Sequence, residues 1–229
     1  MITNQTQEGM VVGHTEEVVF AGDGVRLSGQ LDYPHAASRS TTFPLLFVLH
    51  HAGSEARSGY THFAQFGLQA GYAVFRWDKR GTGRSGAGGR GSTTQDAVNA
   101  FEIALDQPKI DRRRVVILAQ DAGTGLLGDS FGLFARQQSP HGVVLATNML
   151  DEKAILAIES QVLIIMGQHD WNPWQKFGKA ASDAHNEAYR HGASYYVAPY
   201  ANRMLTDIRS ETFHFGAKNT LHDWLQVIA

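Results

Sequence analysis

The stretch Val115–Gly125, VVILAQDAGTG, decides how the chain is read. A continuous apolar run enters Gln120, an acid follows at Asp121, and small residues with glycine come after it. Uninterrupted apolar runs of this length belong to strands buried on both faces. The small residues beyond the acid suit a tight turn from a strand into a helix. Asp121 therefore stands at the sharp exit from a sheet.

The same rhythm extends in both directions. LLFVLH (45–50), YAVFRW (72–77), GVVLATNM (142–149), VLIIMG (162–167) and SYYVA (194–198) read as buried strands. Helical spacing follows them: Tyr60, Phe63, Ala64 and Leu68; Ala97, Ala100, Phe101 and Ala104; Phe177, Ala180, Ala181 and Ala184; Leu221, Trp224, Leu225 and Ile228. Ser92 and Gln95 have capping-box spacing ahead of the second of these helices. Upstream, EEVVF and VRLSGQLDYP flank AGDG as a hairpin, and residues 1–15 read as a loose tail. Alternation of this kind predicts one α/β domain over 1–229. Its mostly parallel sheet carries helices on both faces and an antiparallel hairpin at the N-terminal edge.

Composition narrows the function. The 229 residues are 43% hydrophobic and 18% charged, with a net charge of −2 and no cysteine. That balance gives no electrostatic footprint for nucleic acid or an anionic membrane. It excludes disulfides, thiolate metal sites and a cysteine nucleophile. No apolar run approaches the ~20 residues that span a bilayer. The N-terminus lacks the apolar stretch of a secretion signal, so the expectation is a cytoplasmic protein acting on a small molecule. No cofactor motif is present. GTGRSG (81–86) lacks the immediate helix start a dinucleotide fingerprint needs. His50, His51, Asp121, His169 and Asp170 could be imagined around a metal. Adjacent histidines on a strand face opposite ways, however, and solvated histidines are the simpler reading. The oligomeric state is open.

In open α/β sheets ligands bind at the carboxyl ends of the strands. Those ends read HHAGS (50–54), WDKRGTGRSG (77–86), AQDAG (119–123), GQHDW (167–171) and APYANRM (198–204). On these segments the chain resembles the α/β-hydrolase superfamily over nearly its whole length. D-x-R-G-x-G-x-S is the most specific piece. The resemblance implies a nucleophile elbow at Ala119–Gly123 with Asp121 at the nucleophile position. It implies an acid at Asp170 and oxyanion-type N–H donors from Ala52 and Ala122. The position matching the family's histidine is Arg203. The short stretch Leu150 to Gln161 leaves no room for a large cap.

These departures support two readings. In one, the chain is a hydrolase of a small neutral substrate with little ordinary esterase activity. Asp121 attacks a saturated carbon, Asp170 orients a base, and His214 or His169 is that base. His51 and Trp171 then lie beside the site. In the other, Asp121, Arg203 and Asp170 form an ion cluster in a non-catalytic binding protein. Arginine cannot be the base, because it stays protonated. Simpler alternatives stand beside each residue: Asp121 as a helix cap, Asp170 as a turn residue, Arg203 as a surface arginine, Trp171 as core packing. GDSFG (128–132) mimics a serine elbow, but it falls where the following helix belongs, so Ser130 is read as a helix residue.

Overall fold

The computed structural model describes residues 12–35, 41–50 and 55–228. One eight-stranded sheet organises them. Its strands are β1 (Val12–Gly22), β2 (Val25–Pro34), β3 (Phe43–Leu49), β4 (Ala73–Asp78), β5 (Ile110–Gln120), β6 (Gly142–Ala146), β7 (Gln161–Gly167) and β8 (Ala193–Ala198). Their order across the sheet is β1-β2-β4-β3-β5-β6-β7-β8. β2 runs antiparallel to β1 and to β4, and every other pairing is parallel. The expected N-terminal hairpin on a parallel sheet is therefore present.

Helices cover both faces. α2 (Thr93–Leu105), α3 (Ala122–Gln137) and α4 (Asn172–Ala188) lie on one, α1 (Thr61–Gln69) and α5 (Phe215–Ile228) on the other. β5 shows why its sequence is apolar without alternation. Val115, Ile117 and Ala119 pack toward α2 to α4, while Val116 and Leu118 pack toward α1 and α5. Fully burying each of the Val, Ile and Leu side chains contributes about 1.5–3 kcal/mol.

Several local expectations change. β1 begins at Val12, inside the stretch read as a loose tail. There His14 pairs with Tyr33, and the Thr15 hydroxyl donates to Asp32 at 2.8 Å. The run at 142–149 stops as a strand at Ala146, because Thr147 takes a left-handed φ of 56° and turns the chain. The segment after it holds a single 3-10 turn, Ala154–Ala157. Ser92 caps α2 by accepting the Gln95 N–H at 3.1 Å, but the Gln95 side chain donates to Asn99, so half of the capping box forms. No helix among the described residues is long and apolar enough to cross a membrane.

Candidate functional site

β5, β7 and β8 run parallel, so the segments that leave their carboxyl ends meet at one edge of the sheet. Asp121 is the first residue out of β5. It has φ 52° and ψ −124°, a conformation L residues adopt only under constraint. Backbone bonds hold it there. The Asp121 N–H donates to Ala146 O at 3.0 Å, and Asp121 O accepts the Thr124 N–H at 2.8 Å and its hydroxyl at 2.7 Å. Gly123 lets the turn pass close to β3, since a Cβ there would lie 2.5 Å from Leu49 O. The expected elbow is present, with the acid at its tip.

The Asp121 side chain makes no cap bond to α3, so the helix-cap reading is corrected. Its Oδ1 instead accepts Nη2 of Arg203, which also contacts Met149 Sδ at 3.5 Å. The Arg203 side chain stays 42% exposed and that of Asp121 14%. The simple surface-arginine reading therefore gives way to a paired, half-open one. At such exposure the pair is worth about 0–1 kcal/mol. The turn that presents Arg203 is well bonded: Asn202 Oδ1 accepts the N–H groups of Met204 and Thr206, and Ala201 bridges to Asp207.

Asp170 is buried and feels both partners as charges. Burial raises its pKa above the ordinary value, and the Asp121 charge pushes the same way. The Trp171 N–H bond, 2.7 Å to Oδ1, and the Arg203 charge oppose this. The three residues are thus one direct pair with a third carboxyl interacting through charge. The cluster read from the sequence was a continuous one.

The candidate bases lie elsewhere. His214 is buried at the start of α5, where its Nδ1 accepts the Ala217 N–H at 3.1 Å and its own N–H donates to Leu205 O at 2.7 Å. It caps a helix, and no bond joins it to Asp121 among the described residues. His169 is exposed and stacks on Tyr200 with ring centroids 6.3 Å apart, so it is not placed against Asp121 either. Trp171 is 68% exposed, which removes the core-packing reading. Trp77 is buried, and His50 Nε2 lies 2.7 Å from its carbonyl. Ala122 opens α3. His51 and Ala52 fall outside the described residues. Ser130 sits inside α3, its hydroxyl returned to Leu126 O, as its place in the sequence predicts.

Three neighbours carried no signal in the sequence. Met149 touches Arg203 because the chain turns at Thr147 and not at the end of the apolar run. The Thr124 hydroxyl bridges Asp121 O and the Met149 N–H. Gln120 is fully buried, and its amide has no partner among the described residues.

A family model described as serine aminopeptidase, S33, matches residues 44–195. The match runs from β3 into β8 and ends before Arg203 and His214. No curated protein matches in sequence. Among solved structures, carboxyl esterase 2 from the mycorrhizal fungus Tuber melanosporum is similar with a TM-score of 0.71 at 12% identity, covering 99% of this chain and 88% of that one. An esterase of Pyrococcus furiosus has a TM-score of 0.68 at 15% identity, with coverage of 99% and 97%. A hypothetical protein of Pseudomonas aeruginosa has a TM-score of 0.68 at 14% identity, with coverage of 97% and 99%. These likenesses are of fold, and they bear out the α/β-hydrolase architecture.

Proposed function

The chain belongs to the serine aminopeptidase S33 family of α/β-hydrolases, and from that premise we propose that it holds a small neutral ligand at the strand ends and does not carry out ordinary ester hydrolysis. One observation carries this reading: Arg203 Nη2 is bonded to Asp121 Oδ1, where acyl transfer needs a nucleophile beside a base. A guanidinium cannot accept a proton at ordinary pH, and a carboxylate is a poor nucleophile toward an ester carbonyl. We read the whole chain as a single domain of this kind, acting in the cytoplasm.

The test is to rebuild the missing pieces. Wild type should not turn over p-nitrophenyl acetate. Asp121→Ser combined with Arg203→His restores a serine, a histidine and Asp170 in family order, and should give measurable turnover. Wild-type turnover that vanishes in Asp121→Ala overturns the reading.

A second reading keeps the hydrolase chemistry. It is favoured by the backbone strain still held at Asp121, because such strain persists where structure over-determines it for a purpose. Asp121 would then attack a saturated carbon, with Asp170 orienting a base and the Ala122 N–H polarising the substrate. Its base would have to be His214 or His169, moved from the positions described above. A mass increase on Asp121 after exposure to a haloalkane or epoxide supports this reading.

A further inference from the structure

Trp171, Phe177, Tyr200, Met204 and Ile208 are large hydrophobic side chains left exposed. They lie in the two segments that follow β7 and β8, which also supply Asp170 and Arg203. The Trp171 ring lies 6.4 Å from that of Trp174, which lies 5.6 Å from that of Phe177. The three-residue spacing sets them along one side of the start of α4. An aromatic row therefore begins at the residue next to Asp170, with Trp171 and Phe177 exposed and Trp174 between them packed partly against the core. Leaving surface of this kind in water is unfavourable, and contiguous apolar patches mark binding surfaces.

The polar groups beside the strip limit what it can hold. Arg203 brings N–H donors on a half-exposed guanidinium, and Asp121 and Asp170 bring carboxyl oxygens. A free anion meets two carboxyl groups. A cation meets the guanidinium. A ligand whose groups each donate and accept suits both, and hydroxyls do this. A ring with hydroxyls on its edge and C–H bonds on its face fits the cluster and the strip together.

We propose that this rim and cluster bind a sugar ring, its C–H face laid on Trp171 and its hydroxyls exchanging hydrogen bonds with Arg203 and Asp170. The proposal deepens, and rests on, the reading of the cluster as a ligand site.

Ligand-observed NMR on the wild-type chain tests it, with methyl glycosides, cyclohexanol and benzyltrimethylammonium as probes. At least one methyl glycoside should bind, with saturation transfer strongest on the C–H protons of one ring face. Cyclohexanol, with one hydroxyl, should bind more weakly. Trp171→Ala should weaken glycoside binding by roughly tenfold, and Trp171→Phe should restore most of it. Asp170→Asn, which keeps shape but exchanges an oxygen for N–H donors, should also weaken it. Binding of no glycoside overturns the proposal. So does preferred binding of cyclohexanol or the ammonium probe, or glycoside binding indifferent to Trp171. The outcome is separable from the ester assay. Asp121-dependent turnover defeats the non-hydrolytic reading whatever the glycosides do, and ester silence without glycoside binding defeats only the sugar assignment.

Discussion

Two aspartate–arginine arrangements stand at the carboxyl ends of strands separated only by β3, and they are built for opposite purposes. Asp78, the last residue of β4, is almost fully buried. Its carboxylate accepts the N–H groups of Arg57 at 2.8 Å and Arg84 at 2.9 Å, and Arg57 Nε lies 3.7 Å away. Gly83, with φ 49°, folds the loop tightly over it, and a Cβ there would lie 2.3 Å from the carboxyl carbon. Arg80 fastens the same loop to Asp96 with two bonds of 2.8 and 2.9 Å. Asp121 has one arginine contact among the described residues, and that partner is half in water. The first arrangement spends its hydrogen-bonding capacity internally and is frame. The second leaves capacity open to an incoming molecule. The most family-specific motif in the sequence, DKRGTGRSG, thus belongs to the scaffold.

Substitution should separate the two most sharply. Asp78→Ala strands the backbone N–H groups of Arg57 and Arg84, and should cost about 3–5 kcal/mol in urea unfolding. Asp121→Ala should change stability by no more than about 1 kcal/mol. Similar losses for the two would break the comparison.

Acid provides the next contrast. His62 on α1 lies against Phe63, Phe66 and Phe213, and burial, helped by the Arg76 charge, lowers its pKa from 6.5 to about 4. A histidine lowered on folding contributes stability above its unfolded pKa and loses it as pH falls. The frame should therefore weaken between about pH 6.5 and 4, by on the order of 3 kcal/mol. Thermal melts of His62→Phe should show a flatter profile over that range.

Relief of strain comes third. Asp121→Gly removes the Cβ from a φ of 52°, and should raise stability by about 1–3 kcal/mol. No gain would mean that the Arg203 contact offsets the strain. The smallest effect belongs to Asp170, and its sign opposes that of His62. Its raised pKa means that its contribution is present below the unfolded value of 3.8 and is lost as pH rises through the folded one. Asp170→Asn should melt slightly higher than wild type at neutral pH, with the difference vanishing in acid.

The fold was legible because burial on both faces writes itself into composition. The run VVILA has no other home than the middle of a covered sheet, and Asp121 followed as the elbow residue from the small residues beside it. Arg203 could be placed opposite Asp121 only through the resemblance to the family, whose histidine position it occupies. The histidines could not be resolved in this way. His169 lies at a strand end in sequence and His214 in the long loop before α5, and only backbone geometry decides that His214 caps α5 and His169 stacks on Tyr200. Met149 was hidden because a left-handed threonine cuts β6 short, and nothing in GVVLATNM signals where that apolar run ceases to be a strand.

The bonds that shape the elbow come from Ala146 O and from Thr124, and none of them uses the side chain at position 121. The backbone works as a socket. Whatever residue is plugged in there is delivered to the same point in space, facing the same loop. Chemistry at this position can therefore be exchanged one residue at a time, by evolution or in the laboratory, without renegotiating the fold that presents it.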